Sequence, residues 1–442
     1  MKFSVRILLL ALLATTVAVA QNQYIKNVIV VIQENRTPDN LFQALCTGSN
    51  CGTGSNQFNL QSYGQCLYNN SEQNVSLLPL GIEGNCADPG HFHSDWTAMY
   101  DGANGHYMDG ACNDSSTTCK PFKHACTFGS GLDCTRYSYV DNTSGVINPY
   151  LAIAQQYGWA NYMFQTNQGP SFPAHQFLLS GTSAPDSKTA PLYADFAMDN
   201  PTSGSDDAGC AASNGSLETL ISPTGDTSQQ IYPCFEHATL TDLLDAANVP
   251  WRYYSGTPKG IWTAPNAIKH ICNNDTNNDG CGTGNGSNSD WNNVFLESDN
   301  NLAPFLNDLQ PPRSSFSNWA GGVIFVVPDA VWSDHPQKGV GLGPDWVANI
   351  VNAIGQSNCT SGNAPNWSNT AVLIVWDDWG GWYDHVNPIA TIGGGNLGYP
   401  NGTGEQYVYG FRVPLLVVSE WVNDDSPLGG HISNVNHDSA AY

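Results

Sequence analysis

The stretch NVIVVIQENRTPDNLF, residues 27–42, is the most informative segment of the sequence about the fold. Residues 28–32 (VIVVI) form an unbroken apolar run rich in β-branched side chains, which is typical of a strand buried on both faces of a parallel sheet. The run ends in residues 33–36 (QENR), where two amides, an acid and a guanidinium stand together. Ligands of open α/β sheets bind outside the carboxyl ends of the strands. This strand end is therefore either a polar turn that leads into a capped helix or part of a binding site.

Three later segments have the same apolar character and are also predicted to be strands: 322–327 (GVIFVV), 371–376 (AVLIVW) and 413–418 (VPLLVV). Helical patterns over residues 240–246 and 345–351 lie between them. Strands that alternate with helices predict an α/β fold, here a three-layer α/β/α sandwich with a mainly parallel central sheet and disulfide-rich loop insertions. Because Pro414 cannot donate to a sheet ladder, its segment is expected at a sheet edge or at a strand start.

The beginning of the chain and its cysteines indicate export. The first twenty residues have a basic start, an apolar middle and a small-residue end, which is the pattern of a cleaved secretory signal peptide. We predict a signal peptide over 1–20, a secreted protein without a stable membrane anchor, and one domain over 21–442. Thirteen cysteines fit an oxidising compartment, and eight of them lie between Cys46 and Cys134. Residues 43–145 are therefore predicted to be a cysteine-rich insertion that caps this domain.

The charge of the chain restricts its partners. The formal net charge is −24, with only 14 lysines and arginines. A nucleic-acid-binding protein needs a basic surface, so nucleic acid is not an expected partner. The 13 tryptophans leave a non-enzymatic alternative open, namely a secreted carbohydrate- or surface-binding protein.

A second predicted strand also ends in acids. The segment 371–376 runs directly into Asp377 and Asp378, and two glycines behind them permit a tight turn. Adjacent carboxylates repel each other, so they are costly unless they are solvated or hold a cation. Together with Glu34 and Asn35 they would offer oxygen ligands that suit Ca²⁺, Mg²⁺ or Mn²⁺, and Zn²⁺ also accepts carboxylates. We predict a divalent metal site from these four residues; the alternative is a solvated polar loop.

One serine and two histidines are the candidates for catalysis. Ser171 stands between Pro170 and Pro173, which predicts a rigid turn at the start of a helix. The free N–H groups at a helix start favour a phosphoryl anion, although a serine there is often only a cap. His91 and His335 are candidates for phosphate contact and leaving-group protonation, with a structural role as the alternative for each. Neither G-x-S-x-G nor H-E-x-x-H occurs, which disfavours an ordinary lipase or a zincin protease.

These motifs resemble those of the phosphoesterase family, which includes bacterial phospholipases C, plant non-specific phospholipases C and the acid phosphatase A group, within the alkaline phosphatase superfamily. The elements that carry the resemblance follow the family's order along the chain: VVIQENRTPDNLF at 30–42, DPGHFHSDW at 88–96, TNQGPSFPAHQFLLSGTS at 166–183, SDHPQKGV at 333–340 and VWDDWGGWYDHVNP at 375–388. Relatives commonly read ENRSFD where this chain reads ENRTPD, so Pro38 changes the turn behind the site.

The resemblance implies a role for each matching position. It assigns the cation to Glu34, Asn35, Asp377 and Asp378, the nucleophile to Ser171, and phosphate contact or leaving-group assistance to His91 and His335. The candidates for supporting side chains behind these groups are His175, His385 and Arg36.

The function expected from the resemblance is a secreted, metal-dependent phosphoric ester hydrolase of the phospholipase C or acid phosphatase type. It would act through a phosphoryl-serine intermediate on a small phosphate ester or a phospholipid. A sulfatase or a nucleotide phosphodiesterase is the alternative within the same fold. Sulfatases carry C-x-P-x-R at the nucleophile, and residues 171–175 (SFPAH) lack both the cysteine and the arginine.

Overall fold

The computed structural model describes residues 25–54, 57–68, 71–84, 88–100, 108, 135–186, 195–202, 207–222, 224–256, 258–273, 280–282, 290–296, 304–310, 314–356, 363–388 and 409–422. The predicted signal peptide over 1–20 lies outside these residues, as does most of 101–134 within the predicted cysteine-rich insertion.

The described strands, in chain order, are β1 (Asn27–Gln33), β2 (Tyr63–Tyr68), β3 (Ser71–Ser76), β4 (Leu78–Leu80), β5 (Ser138–Val140), β6 (Gly158–Trp159), β7 (Phe196–Ala197), β8 (Glu218–Ile221), β9 (Gln230–Ile231), β10 (Trp251–Ser255), β11 (Val294–Leu296), β12 (Gly322–Val326), β13 (Thr370–Trp376) and β14 (Leu415–Val418). The described α-helices are α1 (Pro38–Leu41), α2 (His93–Met99), α3 (Asn148–Gln156), α4 (Ser171–Ser180), α5 (Leu240–Ala246), α6 (Lys269–Cys272), α7 (Pro304–Leu309) and α8 (Gly343–Gly355).

Seven of these strands form the central sheet, in the order β11-β10-β12-β1-β13-β14-β6. The first five run parallel to one another, and β14 and β6 pair antiparallel at one side. The expected α/β/α class with a mainly parallel sheet is confirmed. As expected from Pro414, the last predicted strand begins immediately after this proline, at Leu415.

The centre of the sheet is β1, which pairs with β12 on one side and β13 on the other. Gln33, the last residue of β1, lies opposite Trp376, the last residue of β13. Because the two strands are parallel and in this register, they end level with each other. The polar residues that follow each strand are therefore brought to the same point of the sheet edge.

Helices cover the buried strands with single apolar faces. In α8, Trp346, Val347, Ile350 and Ile354 are buried, a spacing that places them on one side of a helix. This helix packs against α3. No helix among the described residues has the length and apolarity needed to cross a bilayer.

Disulfides staple the loops around the sheet. Cys46 pairs with Cys51 inside the predicted insertion, and two further described pairs, Cys210–Cys234 and Cys272–Cys281, lie outside it. The described part of 43–145 contains the antiparallel pair β2-β3, the parallel pair β4-β5 and helix α2. The boundaries 21–442 and 43–145 stay predictions.

Candidate active site

The ends of β1 and β13 bring the predicted acids and amide together. The backbone N–H of Asn35 donates to Asp377 Oδ1 at 3.0 Å. The N–H of Arg36 donates to the carbonyl of Asp378 at 3.1 Å. These bonds join the loops that follow β1 and β13, so the four predicted metal ligands lie together at one edge of the sheet.

The turns behind these strands have unusual backbone conformations. Asn35 has a φ of 60° and Gly380 a φ of 63°, both in the left-handed region. Asparagine enters this region more readily than most residues, and glycine enters it freely. A Cβ at Gly380 would clash with the carbonyl of Asn35. The glycine after Asp377-Asp378 thus permits the close approach of the two loops.

Ser171 reaches the acids from a different element. It is the first residue of α4, directly after Pro170, and its side chain is buried. Ser171 Oγ lies 3.3 Å from Glu34 Oε2 and 3.2 Å from Asp378 Oδ2, and as an O–H it donates to these carboxylates. The N–H of Phe172 has no intrahelical partner in the first turn, and it donates to Asn200 Oδ1 at 2.9 Å. The structure therefore places the predicted nucleophile against the predicted metal ligands.

The acids at this point are crowded and buried. Burial, followed by the neighbouring carboxylates of Asp377 and Asp378, raises the pKa of Glu34 well above its usual range. Burial and the charge of Asp377 also raise the pKa of Asp378 well above its usual range. Like charges at such distances cannot all remain ionised without a cation or shared protons.

Two buried oxygen atoms of the cluster have no hydrogen-bond donor among the described residues. Asn35 Oδ1 and Asp377 Oδ2 are buried and accept no hydrogen bond from any described residue. Buried polar atoms are nearly always paired, so each unpaired one calls for an explanation. Carboxylate, amide and hydroxyl oxygens are the ligands that hard divalent cations prefer. The donor set of Glu34, Asn35, Asp377 and Asp378 thus fits a divalent cation.

The two predicted histidines, His91 and His335, lie on separate loops and close to each other. The ring centroids of His91 and His335 are 6.0 Å apart. The side-chain amide of Asn35 donates to His91 Nε2 at 3.0 Å, while the Nδ1–H of His91 donates to the carbonyl of Pro89 at 2.9 Å. The Nδ1–H of His335 donates to the carbonyl of Pro336 at 2.7 Å. Each imidazole is therefore oriented by a backbone carbonyl, and His335 Nε2 is left to act as an acceptor.

The two imidazoles differ in their proton affinity. Burial opposes a charge on His91, but the carboxylates of Asp378 and Asp88 outweigh it and raise the pKa of His91. For His335 burial is the largest effect, and it lowers the pKa. Relative to a free histidine, the pKa values of the two imidazoles are therefore shifted in opposite directions.

A cavity of about 470 Å³ opens onto these histidines. Trp262 forms one wall, with its ring centroid 5.9 Å from that of His335. Phe92, Lys259 and Lys338 also line the cavity. Its size is in the range that holds a small organic ligand. A second depression, of about 570 Å³, lies around residues 79–83 and 141–146, and its described lining includes none of the predicted site residues.

Of the three predicted supporting residues, His175 contacts Glu34 directly, and Arg36 contacts the segment that carries His335. His175 Nε2 lies 3.0 Å from Glu34 Oε1, and burial lowers its pKa to about 4. The Arg36 guanidinium donates to the carbonyl of Asp334 through Nε at 3.0 Å and Nη2 at 2.7 Å. Arg36 therefore ties the end of β1 to the segment that carries His335.

His385 belongs to a second cluster. Its Nδ1 lies 2.7 Å from Asp39 Oδ2, and its Nε2 lies 2.9 Å from Asn59 Oδ1. Arg412 donates through Nε and Nη2 to the two oxygens of Asp384, each at 3.0 Å. The spacing of Asp39, Asp384 and His385 would permit a cation. Because these side chains already satisfy one another, we assign the cluster a structural role.

Sequence analysis did not single out Arg412 or Asp384. Asp384 lies within the motif at 375–388 and Arg412 lies just before the predicted strand at 413–418, but only their burial reveals them. Arg412 and Asp384 have no exposed surface. The signal available in the sequence was an arginine in a chain with only 14 lysines and arginines. The burial of that arginine cannot be inferred from its position in the sequence alone.

The carboxyl of Asp334 supplies a pH-dependent contribution to stability. Its Oδ2 accepts hydrogen bonds from Tyr150 Oη at 2.9 Å and Trp376 Nε1 at 3.0 Å, and burial raises its pKa to about 6. A raised folded-state pKa stabilises the protein below the unfolded value of about 4, and this stabilisation is lost as the pH rises through about 6.

We therefore expect wild type to lose about 1 kcal/mol more stability than Asp334→Asn between pH 5 and pH 7. Urea unfolding of both proteins at the two pH values measures the difference. Equal losses in the two proteins would contradict the assignment.

Comparison with known proteins agrees with the motifs. The sequence model of the phosphoesterase family matches residues 25–439. The chain is 35% identical over 92 residues to non-specific phospholipase C6 of Arabidopsis thaliana, covering 20% of this chain and 16% of that protein. It is 33% identical over 105 residues to non-specific phospholipase C3 of the same plant, covering 22% and 17%. It is 24% identical over 221 residues to non-hemolytic phospholipase C of Burkholderia pseudomallei (strain K96243), covering 42% and 28%.

The matched segments thus span less than a third of the length of each of these relatives. The family match, in contrast, runs through nearly all of the chain and includes every residue of the cluster described above. This protein therefore belongs to the phosphoesterase family.

Proposed function

We propose that this protein is a secreted, metal-dependent phosphoric ester hydrolase that transfers the phosphoryl group to Ser171. The observation that carries the proposal is the position of Ser171 Oγ, 3.3 Å from Glu34 Oε2 and 3.2 Å from Asp378 Oδ2 in a buried cluster. Family membership supports the reaction class. A non-catalytic binding protein would have no use for a hydroxyl held against buried acids.

Glu34, Asn35, Asp377 and Asp378 are the residues that would hold the cation. A bound divalent cation lowers the pKa of a nearby hydroxyl and neutralises charge on phosphoryl oxygens. Ser171 is the first residue of α4, and the positive end of the helix dipole there also favours an anion. The cation and the helix start would together stabilise negative charge on the hydroxyl oxygen and on the phosphoryl oxygens.

The proposed reaction has two displacements at phosphorus. In the first, Ser171 Oγ forms a bond to phosphorus, its proton passes to an adjacent carboxylate, and the ester P–O bond breaks. One of the two histidines, His335 or His91, donates a proton to the leaving oxygen. In the second, water attacks phosphorus and gives a proton back to that histidine, the bond to Ser171 breaks, and the carboxylate returns its proton to Ser171 Oγ.

The compartment and the substrate follow from separate observations. The disulfides Cys46–Cys51, Cys210–Cys234 and Cys272–Cys281 support an oxidising compartment and hence secretion. The relatives are named phospholipases C, which supports a phospholipid substrate. A small phosphate ester would equally fit the cavity beside His91 and His335.

We expect the protein to hydrolyse nitrophenyl phosphate, nitrophenyl phosphorylcholine or both, and to lose this activity after chelation. Restoring Ca²⁺, Mg²⁺, Mn²⁺ or Zn²⁺ one at a time should recover it with at least one ion. The ratio of the two rates assigns the protein to the monoester or the diester class. Activity that survives exhaustive chelation would refute the metal dependence, and no activity on either ester or on phospholipid vesicles would refute the hydrolase.

A further inference from the structure

The two carboxylate oxygens of Glu34 face different partners. Oε2 accepts a hydrogen bond from Ser171 Oγ at 3.3 Å. Oε1 lies 3.0 Å from His175 Nε2. Ser171 and His175 are four residues apart in α4, so they lie on the same helix face, one turn from each other. One helix therefore presents a hydroxyl to one oxygen of Glu34 and an imidazole to the other.

We propose that His175 is a positioning residue whose Nε2–H donates to Glu34 Oε1 and thereby holds Oε2 toward Ser171 and the cation. The inference rests on the proposed cation site and adds a residue that tunes it. His175 itself does not touch the cation or the substrate.

A direct ligand role for His175 is the competing assignment. Its ring nitrogen, Glu34 and Asp377 lie close enough together to hold a cation. The other ring nitrogen decides between the two roles. His175 Nδ1 is buried and has no hydrogen-bond partner among the described residues. An imidazole that ligates a metal through Nε2 carries its proton on Nδ1 and almost always donates it to a carboxylate, a carbonyl or water.

Placing the proton on Nδ1 of His175 would thus bury a donor without an acceptor, which is costly. Placing it on Nε2 directs it at Glu34 Oε1 at 3.0 Å, with Asp377 Oδ2 at 3.6 Å. The geometry favours this second tautomer, in which Nε2 is a donor and cannot also be a ligand.

The other two histidines of the site have the opposite arrangement. His91 Nδ1 and His335 Nδ1 each face a backbone carbonyl, at 2.9 and 2.7 Å. Their Nε2 atoms are therefore unprotonated acceptors when the rings are neutral, and His91 Nε2 accepts from the side-chain amide of Asn35. Of these three histidines, His175 alone lacks an Nδ1 partner in the described part of the chain.

The donor from His175 has a physical effect on the cluster. A neutral N–H between Glu34 and Asp377 offsets part of their mutual repulsion and leaves the overall negative charge available to a cation. It also restricts the rotation of the Glu34 carboxylate. Loss of such outer hydrogen bonds typically lowers metal affinity by 10–100-fold.

The test compares two substitutions of different hydrogen-bonding capacity. His175→Gln keeps an N–H donor near the position of Nε2, whereas His175→Leu has similar bulk and no donor. The dissociation constant of Mn²⁺ is measured for each purified protein, and for wild type, by competition with a fluorescent chelator. This readout does not depend on catalysis.

We expect His175→Leu to bind Mn²⁺ about 10–100-fold more weakly than wild type and His175→Gln to stay within about threefold. Unchanged affinity in His175→Leu would overturn the proposal. A loss in His175→Gln as large as that in His175→Leu would overturn it too, because it would assign the effect to the imidazole itself.

Two controls distinguish a failure to fold, or the absence of a cation site, from a failure of the role proposed for His175. Thermal unfolding without metal shows which variants fold. If His175→Leu does not fold, His175→Asn replaces it, because its shorter amide cannot reach Glu34 and the same loss is expected. Tight Mn²⁺ binding by wild type with no loss in these variants refutes only the role of His175. Failure of wild type to bind Mn²⁺, Ca²⁺, Mg²⁺ or Zn²⁺ refutes the cation site and with it the inference.

Discussion

Ser171→Ala is expected to lower the turnover of a phosphate ester by more than about 100-fold, in line with the loss of a nucleophile. The hydroxyl is buried against Glu34 and Asp378, so no other described side chain occupies its place. The measurement is the steady-state rate with nitrophenyl phosphate or its phosphorylcholine diester, whichever wild type hydrolyses. Turnover of Ser171→Ala close to that of wild type would remove Ser171 from the mechanism.

Ser171→Thr is the matched control for this substitution. It retains the hydroxyl at the start of α4 and should keep much more activity than Ser171→Ala. Mn²⁺ affinity should change far less than turnover in the alanine variant, because the carboxylates and Asn35 remain. Brief incubation with a substrate and acid quenching should trap phosphate on wild type and not on the alanine variant.

Arg412→Met is expected to destabilise the fold by about 3–5 kcal/mol, because it leaves a buried charge without its partner. The guanidinium donates to both oxygens of Asp384 and, through Nη1, to the carbonyls of Asn59 and Asn161 at 2.8 Å each. All of these groups lose their donor when the arginine is removed. Urea unfolding monitored by tryptophan fluorescence gives the change in the free energy of unfolding.

A double-variant cycle separates the buried charge from the lost packing. Adding Asp384→Asn to Arg412→Met removes the unpaired carboxylate and should recover part of the stability. The two single substitutions should therefore not be additive. A loss below about 1 kcal/mol in Arg412→Met would show that the cluster around Asp39, Asp384 and His385 does not hold these loops together.

Much of the fold could be predicted from local pattern. The apolar runs at 28–32, 322–327 and 371–376 correspond to β1, β12 and β13. Short β-branched runs bounded by polar residues are typical of strands that are buried on both faces of a sheet. The antiparallel direction of β14 was not predicted. Strand direction depends on the path of the chain between strands, and residues 389–408, which lead toward β14, show no periodic pattern.

The core of the candidate site was predicted for a related reason. The carboxyl ends of parallel strands lie at one edge of a sheet, and the structure makes β1 and β13 neighbours, so Glu34, Asn35, Asp377 and Asp378 meet there. The prolines around Ser171 predicted a helix start, and Ser171 is the first residue of α4. The chemical roles of these residues remain proposals that the experiments above address.

The contacts of the histidines and arginines could not be predicted in this way. His385 meets Asp39 across 346 positions of sequence, and Arg412 meets Asn59 across 353. Such pairs depend on the routes of several loops at once, which no periodicity records. His175 lies one helical turn from Ser171, so its side of the helix was predictable, but the lack of an Nδ1 partner among the described residues was not.

The class of sheet, the strand ends that carry the candidate site and the oxygen-rich character of its side chains can all be inferred from the order of the residues. Which histidine faces a carboxylate, which faces the cavity and which holds a loop depends on the packing of the folded chain. Backbone pairing follows short-range repeats of side-chain polarity. The environment of a titratable group instead follows from every element packed around it.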